Sequence, residues 1–131
     1  MFLLRRVLKI QAALWAVTGM ALGLVPLTVL EALGQSSIVE TAWLRMLGVT
    51  TVVLALLMWL VAGALDQVWW WAWAFAVLEA GVATVALVNA TFSVDPGAAA
   101  WAWWVIGGVS VAFAALDLVG LGRTSQEKPQ A

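Results

Sequence analysis

Long uncharged stretches make up most of the chain. Charged residues are absent from residues 10–30, 46–65 and 96–116, and Glu79 alone interrupts a fourth stretch, residues 67–94. A helix that crosses a membrane needs about 20 mostly apolar residues. The pattern therefore predicts four transmembrane helices.

The predicted helices are joined by short connections that contain turn-forming Gly, Ser, Asp and Pro residues. Short connections make consecutive helices antiparallel. We therefore expect an all-α fold, an integral membrane bundle of four helices with up-down topology, within residues 1–122. The first apolar run is longer than the about 7–15 residues of a signal peptide, so it is expected to remain as a span. Polar residues 123–131 are predicted to form a disordered cytoplasmic tail. The predicted helices cover residues 8–30, 42–65, 69–91 and 99–121.

The composition supports a membrane location and removes several classes of function. Hydrophobic residues make up 65% of the chain and charged residues 10%, against about 45–50% and about 25% in soluble domains. The net charge of −1 argues against binding of nucleic acid, which needs a basic surface. The sequence has no Cys and no His, so thiolate metal ligands, the commonest haem ligand and the usual general base are missing. We expect no metal, no cofactor and no catalytic residue.

The basic residues predict the orientation of the bundle. Four spans place both ends of the chain on the same side, and five of the six basic residues lie beside those ends. Basic residues accumulate on the cytoplasmic side of a membrane, so both termini are expected in the cytoplasm. The bias toward Ala, Val, Leu, Gly and Trp is typical of a GC-rich bacterial genome, which predicts a bacterial plasma (inner) membrane. The five residues are Arg5, Arg6, Lys9, Arg123 and Lys128.

Glu79 lies near the middle of the third predicted helix. Residues three, four, seven and eleven positions away share its face of the helix, and most of them are alanine. Membrane helices pack through small residues, so this face is expected to contact other helices. An acid at this depth indicates a functional role by default, and without a partner charge its cheaper state is the protonated one. The shared face comprises Ala72, Phe75, Ala76, Val82, Ala83, Ala86 and Ala90.

Two hydroxyl groups on other helices are predicted at the depth of Glu79. At about 1.5 Å of rise per residue, Thr18 and Ser110 fall at nearly the same level. A hydrogen bond from Glu79 to either residue could lock the bundle. Alternatively, the three residues could form a proton or ligand site for transport, and the residues alone leave both roles open.

Four other polar residues are predicted near the rims of the bundle. Arg45 is expected to reach the outer headgroups or a loop acid, and Asn89 lies at its level. Gln11 and Asp117 are expected near the inner rim, where Asp117 would be solvated or paired with Lys9. All four can be explained as anchors of the bundle.

The ten tryptophans cluster mainly at the ends of the predicted helices. Indole rings prefer the headgroup zone of a membrane, so an aromatic belt is the expected role. A ring-stacking site for a flat lipid-soluble molecule, such as a quinone or carotenoid, is the alternative. The residues that open helices are Trp43, Trp69, Trp70, Trp71, Trp73, Trp101, Trp103 and Trp104.

Two segments carry a resemblance to a known family. The segment "LRMLGVTTVVLALLMWLVAG" places Arg-x-x-Gly at the start of the second predicted helix, and "GMALGLVPLTVLEALG" ends the first with a Pro and a closing Leu-Gly. Here the chain resembles a bacterial family of small four-helix integral membrane proteins of unknown function, DoxX-like in architecture. The resemblance implies a four-helix bundle and a role for Arg45 and Gly48, and it implies no reaction.

Three classes of function follow from these features. Short loops and the lack of a soluble domain favour a non-enzymatic accessory or assembly subunit of a larger membrane complex, with the lipid bilayer as its surroundings. The main alternative is a homo-oligomeric, proton-coupled carrier of a small hydrophobic or cationic solute that uses Glu79. An enzyme acting on a lipid or isoprenoid, with Glu79 or Asp117 as the acid, is the third class. The lack of His, Cys and paired acids disfavours it.

Overall fold

The computed structural model describes residues 1–35, 41–92 and 100–127. Four helical segments in these ranges are long and apolar enough to cross a membrane, and the same ranges contain no strand. The predicted all-α class with four spanning helices is therefore confirmed. The helices are α1 (Phe2–Leu24), α2 (Pro26–Ala32), α3 (Thr41–Gly63), α4 (Leu65–Val68), α5 (Ala72–Phe92) and α6 (Ala100–Glu127), with a 3₁₀ turn at Trp69–Trp71.

The first span ends earlier than the sequence predicts. α1 stops at Leu24 and α2 begins at Pro26, because proline lacks a backbone N–H and disfavours helical geometry at the preceding residue. Val25 accordingly has φ −132° and ψ 55°. Just after α2, Gly34 has φ 65°, a left-handed conformation that glycine adopts readily at a helix end.

The first and last helices, α1 and α6, are longer than predicted at the end of the bundle that holds both chain termini. α1 begins at Phe2 rather than at residue 8, and α6 continues to Glu127 rather than ending at 121. Residues 123–127 of the predicted disordered tail are therefore helical, and residues 128–131 lie outside the described ranges. The backbone nitrogen of Met1 and Oε2 of Glu127 are 2.9 Å apart. We call this end of the bundle the terminal end and the opposite end the loop end.

The four spans pack mainly as two pairs, α1 with α3 and α5 with α6. Glycines bring α1 and α3 together: a Cβ atom added to Gly48 would lie 2.6 Å from the backbone nitrogen of Gly23 and 2.7 Å from the carbonyl oxygen of Gly19. Close backbone approach through small residues is a common way for membrane helices to associate. The Gly19-x-x-x-Gly23 segment of α1 therefore packs directly against Gly48.

The alanine face of α5 packs against neighbouring helices, as predicted. Ala83 and Ala86 are buried, whereas Val88 on the opposite face is exposed. On α6, a Cβ atom added to Gly107 would lie 2.8 Å from the Leu87 side chain. The small residues thus turn the face that carries the acid toward the interior of the bundle.

The two pairs meet at the terminal end and separate toward the loop end. At the terminal end, buried apolar side chains of α1, α3, α5 and α6 fill the space between the pairs, among them Leu8, Met58, Phe75 and Leu121. Toward the loop end, the same space is a cleft of about 450 Å³. The bundle is therefore closed at one end and open at the other.

Candidate functional site

All four spans of one chain line the cleft. Its walls are mostly apolar, and Glu79 is the only charged residue among the described residues that line it. Leu14 and Val109 line the cleft and are exposed, so the cleft is open to its surroundings. Lining residues that bear on the chemistry are Trp15 and Thr18 of α1, Glu79 of α5, and Trp103, Ser110 and Phe113 of α6.

Glu79 lies at the floor of the cleft, where two donors from α1 hold it. Nε2 of Gln11 donates to Oε1 of Glu79 at 2.8 Å, and Nε1 of Trp15 donates to the same oxygen at 2.6 Å. The donors lie four residues apart, so they share one face of α1. Glu79 itself is 1% exposed. Hydrogen bonds to a carboxylate are roughly twice as strong as those between neutral groups, so these donors stabilise a negative charge on Glu79. The sequence predicts hydrogen bonds from Glu79 to Thr18 or Ser110, and the structure instead gives it two donors on α1, Gln11 and Trp15.

A second acid lies behind Glu79, outside the cleft. Asp117 is completely buried, and its carboxyl group is close enough to Glu79 and Gln11 to interact with both. Within the described ranges, neither oxygen of Asp117 has a hydrogen-bond partner, and neither does Oε1 of Gln11. Each such buried oxygen costs about 1–3 kcal/mol. We call Gln11, Trp15, Glu79 and Asp117 the polar cluster.

No cation of the described residues forms an ion pair with the polar cluster. Nη2 of Arg5 lies 3.4 Å from Oδ2 of Asp66, near the terminal end. Nζ of Lys9 lies 5.3 Å from the centre of the Trp59 ring. The cluster therefore combines two carboxyl groups with neutral donors only.

Thr18 and Ser110 share the cleft with Glu79 but do not bond to it. Oγ1 of Thr18 donates to the carbonyl oxygen of Leu14 at 2.9 Å, within α1. Ser110 is buried and lines the cleft, and no hydrogen bond joins it to Glu79 in the described part of the chain. All three predicted residues line the cleft. Thr18 is exposed rather than buried, and the predicted hydrogen bonds from Glu79 to Thr18 or Ser110 are wrong.

The prediction that Gln11 and Asp117 lie near the inner rim is wrong. Both are fully buried, and Asp117 is neither solvated nor paired with Lys9. The reason is the length of the helices, because α1 begins six residues before the predicted start and α6 ends six residues after the predicted end. Six residues add about 9 Å of depth, which carries both side chains to the level of Glu79.

The other two predicted rim residues lie near the loop end. Arg45 is exposed and Asn89 is half-buried, which agrees with a position near the membrane surface. Of the loop acids expected at the level of Arg45, Glu40 and Asp95 lie outside the described ranges, and Glu31 lies in α2.

Trp15 is the member of the polar cluster that sequence reasoning misses. Tryptophan is usually explained by its preference for membrane interfaces, so the sequence gives no reason to expect a bond to Glu79. The only sequence feature that points to this contact is the spacing of four residues between Trp15 and Gln11. Tryptophans such as Trp43 and Trp101 are exposed, as an aromatic belt requires, whereas Trp103 turns into the cleft. The tryptophans therefore divide between the outer surface and the site.

No family model, curated protein or solved structure matches the chain. The resemblance to the DoxX-like family stays a prediction. The cleft and the polar cluster are therefore the features of the molecule that bear on function.

Proposed function

We propose that the protein is a membrane carrier that binds a small lipophilic cation in the cleft, with Glu79 as the counter-ion. The cleft volume of about 450 Å³ lies within the range of about 300–1,000 Å³ that is typical of small-molecule sites. Such sites are mostly apolar and contain a few well-placed polar groups. The apolar walls suit the hydrophobic part of the solute, and the single carboxyl group suits its charge.

The arrangement of bonds around the Glu79 carboxyl group carries this proposal. Gln11 and Trp15 both donate to Oε1. No hydrogen bond from the described residues reaches Oε2, which therefore remains for a ligand in the cleft. An acid that only locked the bundle would be expected to direct both oxygens to neighbouring helices. The bonds also join α1 to α5 at the level where the two helix pairs separate, so a ligand at Glu79 acts on the contact between the pairs.

A single chain supplies every wall of the cleft. Binding of the solute therefore does not require a second copy, and the homo-oligomeric arrangement expected for a carrier stays a prediction. Among the described residues, the walls offer a substrate no second charged group, so we propose binding and movement of the solute rather than its chemical conversion.

We propose a bacterial plasma membrane as the location, with the terminal end in the cytoplasm. Arg5, Arg6, Lys9 and Arg123 lie in the parts of α1 and α6 at the terminal end, and basic residues prefer the cytoplasmic side. Reporter fusions after residue 131 and in the 33–40 connection should give opposite signals. Identical signals at the two positions would contradict this orientation.

Binding of tetraphenylphosphonium, a rigid lipophilic cation, tests the proposed function. In mild detergent, we expect the wild-type protein to bind this cation and Glu79→Gln to lose about tenfold or more in affinity, as expected for the loss of a charge interaction worth about 1.4 kcal/mol. An uncharged tetraphenyl analogue should bind both proteins equally. Equilibrium dialysis measures all four affinities.

Glu31→Gln is the matched control, because Glu31 is an exposed acid that does not line the cleft. It should bind the cation as the wild type does. Equal cation affinities of Glu79→Gln and Glu31→Gln would contradict the proposal. Co-purification of a stoichiometric larger partner, without any cation binding, would favour the accessory role expected from the sequence.

A further inference from the structure

We propose that Asp117 is the proton-binding site of this carrier, and that its proton exchanges against the cation at Glu79. The inference rests on the proposed function and adds the identity of the coupling ion. It gives the two acids of the polar cluster different tasks, since Glu79 faces the cleft and Asp117 is completely buried behind it.

A proton on Asp117 accounts for two of the three oxygens of the polar cluster that have no partner among the described residues. A neutral carboxylic acid has one O–H donor. The Gln11 side chain interacts with Asp117, and its Oε1 is a buried acceptor without a partner among the described residues. Gln11 then accepts a hydrogen bond from Asp117 on one side and donates its Nε2–H to Glu79 on the other. One proton thus completes a chain of bonds from the buried acid to the floor of the cleft.

The donors around each acid decide which of them holds the proton. Glu79 accepts two N–H bonds. Gln11 is close to Asp117 as well, but no bond of hydrogen-bond geometry from the described residues reaches either Asp117 oxygen. A buried charge without donors is far more costly than one that is hydrogen-bonded, and two neighbouring carboxylates repel each other. The single proton therefore belongs on Asp117, and the single negative charge belongs on Glu79.

The other charged groups around Asp117 leave this assignment unchanged. α1 presents Gln11 to it and α5 presents Glu79, while α3 carries no charged residue over positions 46–65. The cations of α1 and α6, which are exposed or engaged by other residues, are Arg5, Arg6, Lys9 and Arg123.

Electrostatics gives the direction of the coupling. A cation bound at Glu79 adds a positive charge near Asp117, which favours release of the Asp117 proton to water. In return, a proton on Asp117 removes a negative charge and weakens binding of the cation, and linkage makes the two effects equal. The site has one net negative charge before and after the exchange, because one proton leaves when one cation enters.

The pH dependence of tetraphenylphosphonium binding tests this coupling. In the wild type, affinity should rise with pH, and binding in weak buffer should release a proton. Asp117→Asn should still bind the cation, because its amide N–H can donate to Oε1 of Gln11, but both the pH dependence and the proton release should disappear. Glu31→Gln should behave as the wild type does.

The two proposals fail in different ways. If Asp117→Asn binds the cation and keeps the pH dependence, the proton site is wrong and the proposed function stands. If the wild type binds no cation, both the proposed function and the exchange are wrong, and the proton assignment is then decided by infrared spectroscopy.

Infrared spectroscopy at neutral pH tests the proton site without any solute. The band of a protonated carboxyl group should be present in the wild type and in Glu79→Gln, and absent from Asp117→Asn. Loss of the band in Glu79→Gln would overturn the assignment, as would its persistence in Asp117→Asn. The Glu79→Gln spectrum alone is decisive if Asp117→Asn does not fold.

Discussion

Trp15 makes the shorter of the two hydrogen bonds to Glu79, at 2.6 Å, and its ring also lines the cleft. Trp15→Phe keeps an aromatic ring at this position and removes only the N–H donor. We expect the free energy of unfolding to fall by about 1.5–3 kcal/mol, the range for hydrogen bonds to charged groups. Unfolding in detergent, followed by circular dichroism, measures this change.

Trp104→Phe is the control for this prediction. Trp104 is exposed and makes no hydrogen bond within the described ranges, so its replacement should leave the free energy of unfolding nearly unchanged. Equal stabilities of Trp15→Phe and Trp104→Phe would show that the indole N–H does not stabilise the buried acid.

The sequence predicts the position of Glu79 correctly and its partners incorrectly. Helical periodicity is enough to place Glu79 on the alanine face of its helix. Gln11 and Trp15 reach it only in one relative register of α1 and α5, which depends on where each helix begins. The sequence predicts a later start for α1 than the observed one at Phe2, because of the charged residues Arg5, Arg6 and Lys9. With that later start, Thr18 rather than Gln11 or Trp15 is predicted at the depth of Glu79.

At the scale of the helices, contact between α1 and α3 depends on Gly48. A Cβ atom there would lie 2.6–2.7 Å from backbone atoms of Gly19 and Gly23, which cannot move without shifting the whole helix. We expect Gly48→Ala to lower the free energy of unfolding by about 1–3 kcal/mol, the usual cost of overpacking. Thermal unfolding in detergent measures the effect.

Gly108→Ala is the matched control, since a Cβ atom at Gly108 has open space around it. Alanine is about 1 kcal/mol better than glycine inside a helix, so this variant should be as stable as the wild type or more stable. A Gly48→Ala protein with the stability of Gly108→Ala would mean that α1 and α3 do not approach closely at this point.

The same helices show which features of an element can be predicted from its sequence. The alanine face of α5 follows from periodicity and the preference of membrane helices for small residues, and burial of Ala83 and Ala86 confirms it. The break before Pro26 also has a local cause, yet the long apolar run conceals it because hydropathy does not report backbone geometry. The extension of α6 to Glu127 is not predicted from the sequence, because the last turns of this helix are polar and resemble a disordered tail.

At the scale of the whole molecule, the open cleft is the feature that the sequence does not predict. Each span is apolar along its length, so composition gives no sign of where the helix pairs separate. The separation depends on side-chain volume, since Leu8, Met58 and Phe75 fill the space at the terminal end. The polar cluster lies at the boundary between the closed and open halves, where a change in charge can alter the contact between the pairs.

This asymmetry between the two ends can be tested with cysteine labelling, because the chain contains no natural cysteine. Ser110 and Thr124 are both buried hydroxyl residues of α6, but only Ser110 lines the cleft, whereas Thr124 lies near the terminal end. We expect Ser110→Cys to react with N-ethylmaleimide much faster than Thr124→Cys, since reaction requires access to the thiol. Tetraphenylphosphonium should slow the reaction of Ser110→Cys by occupying the cleft. Mass spectrometry of the labelled protein gives both rates, and equal rates for the two variants would mean that the cleft is closed in the membrane protein.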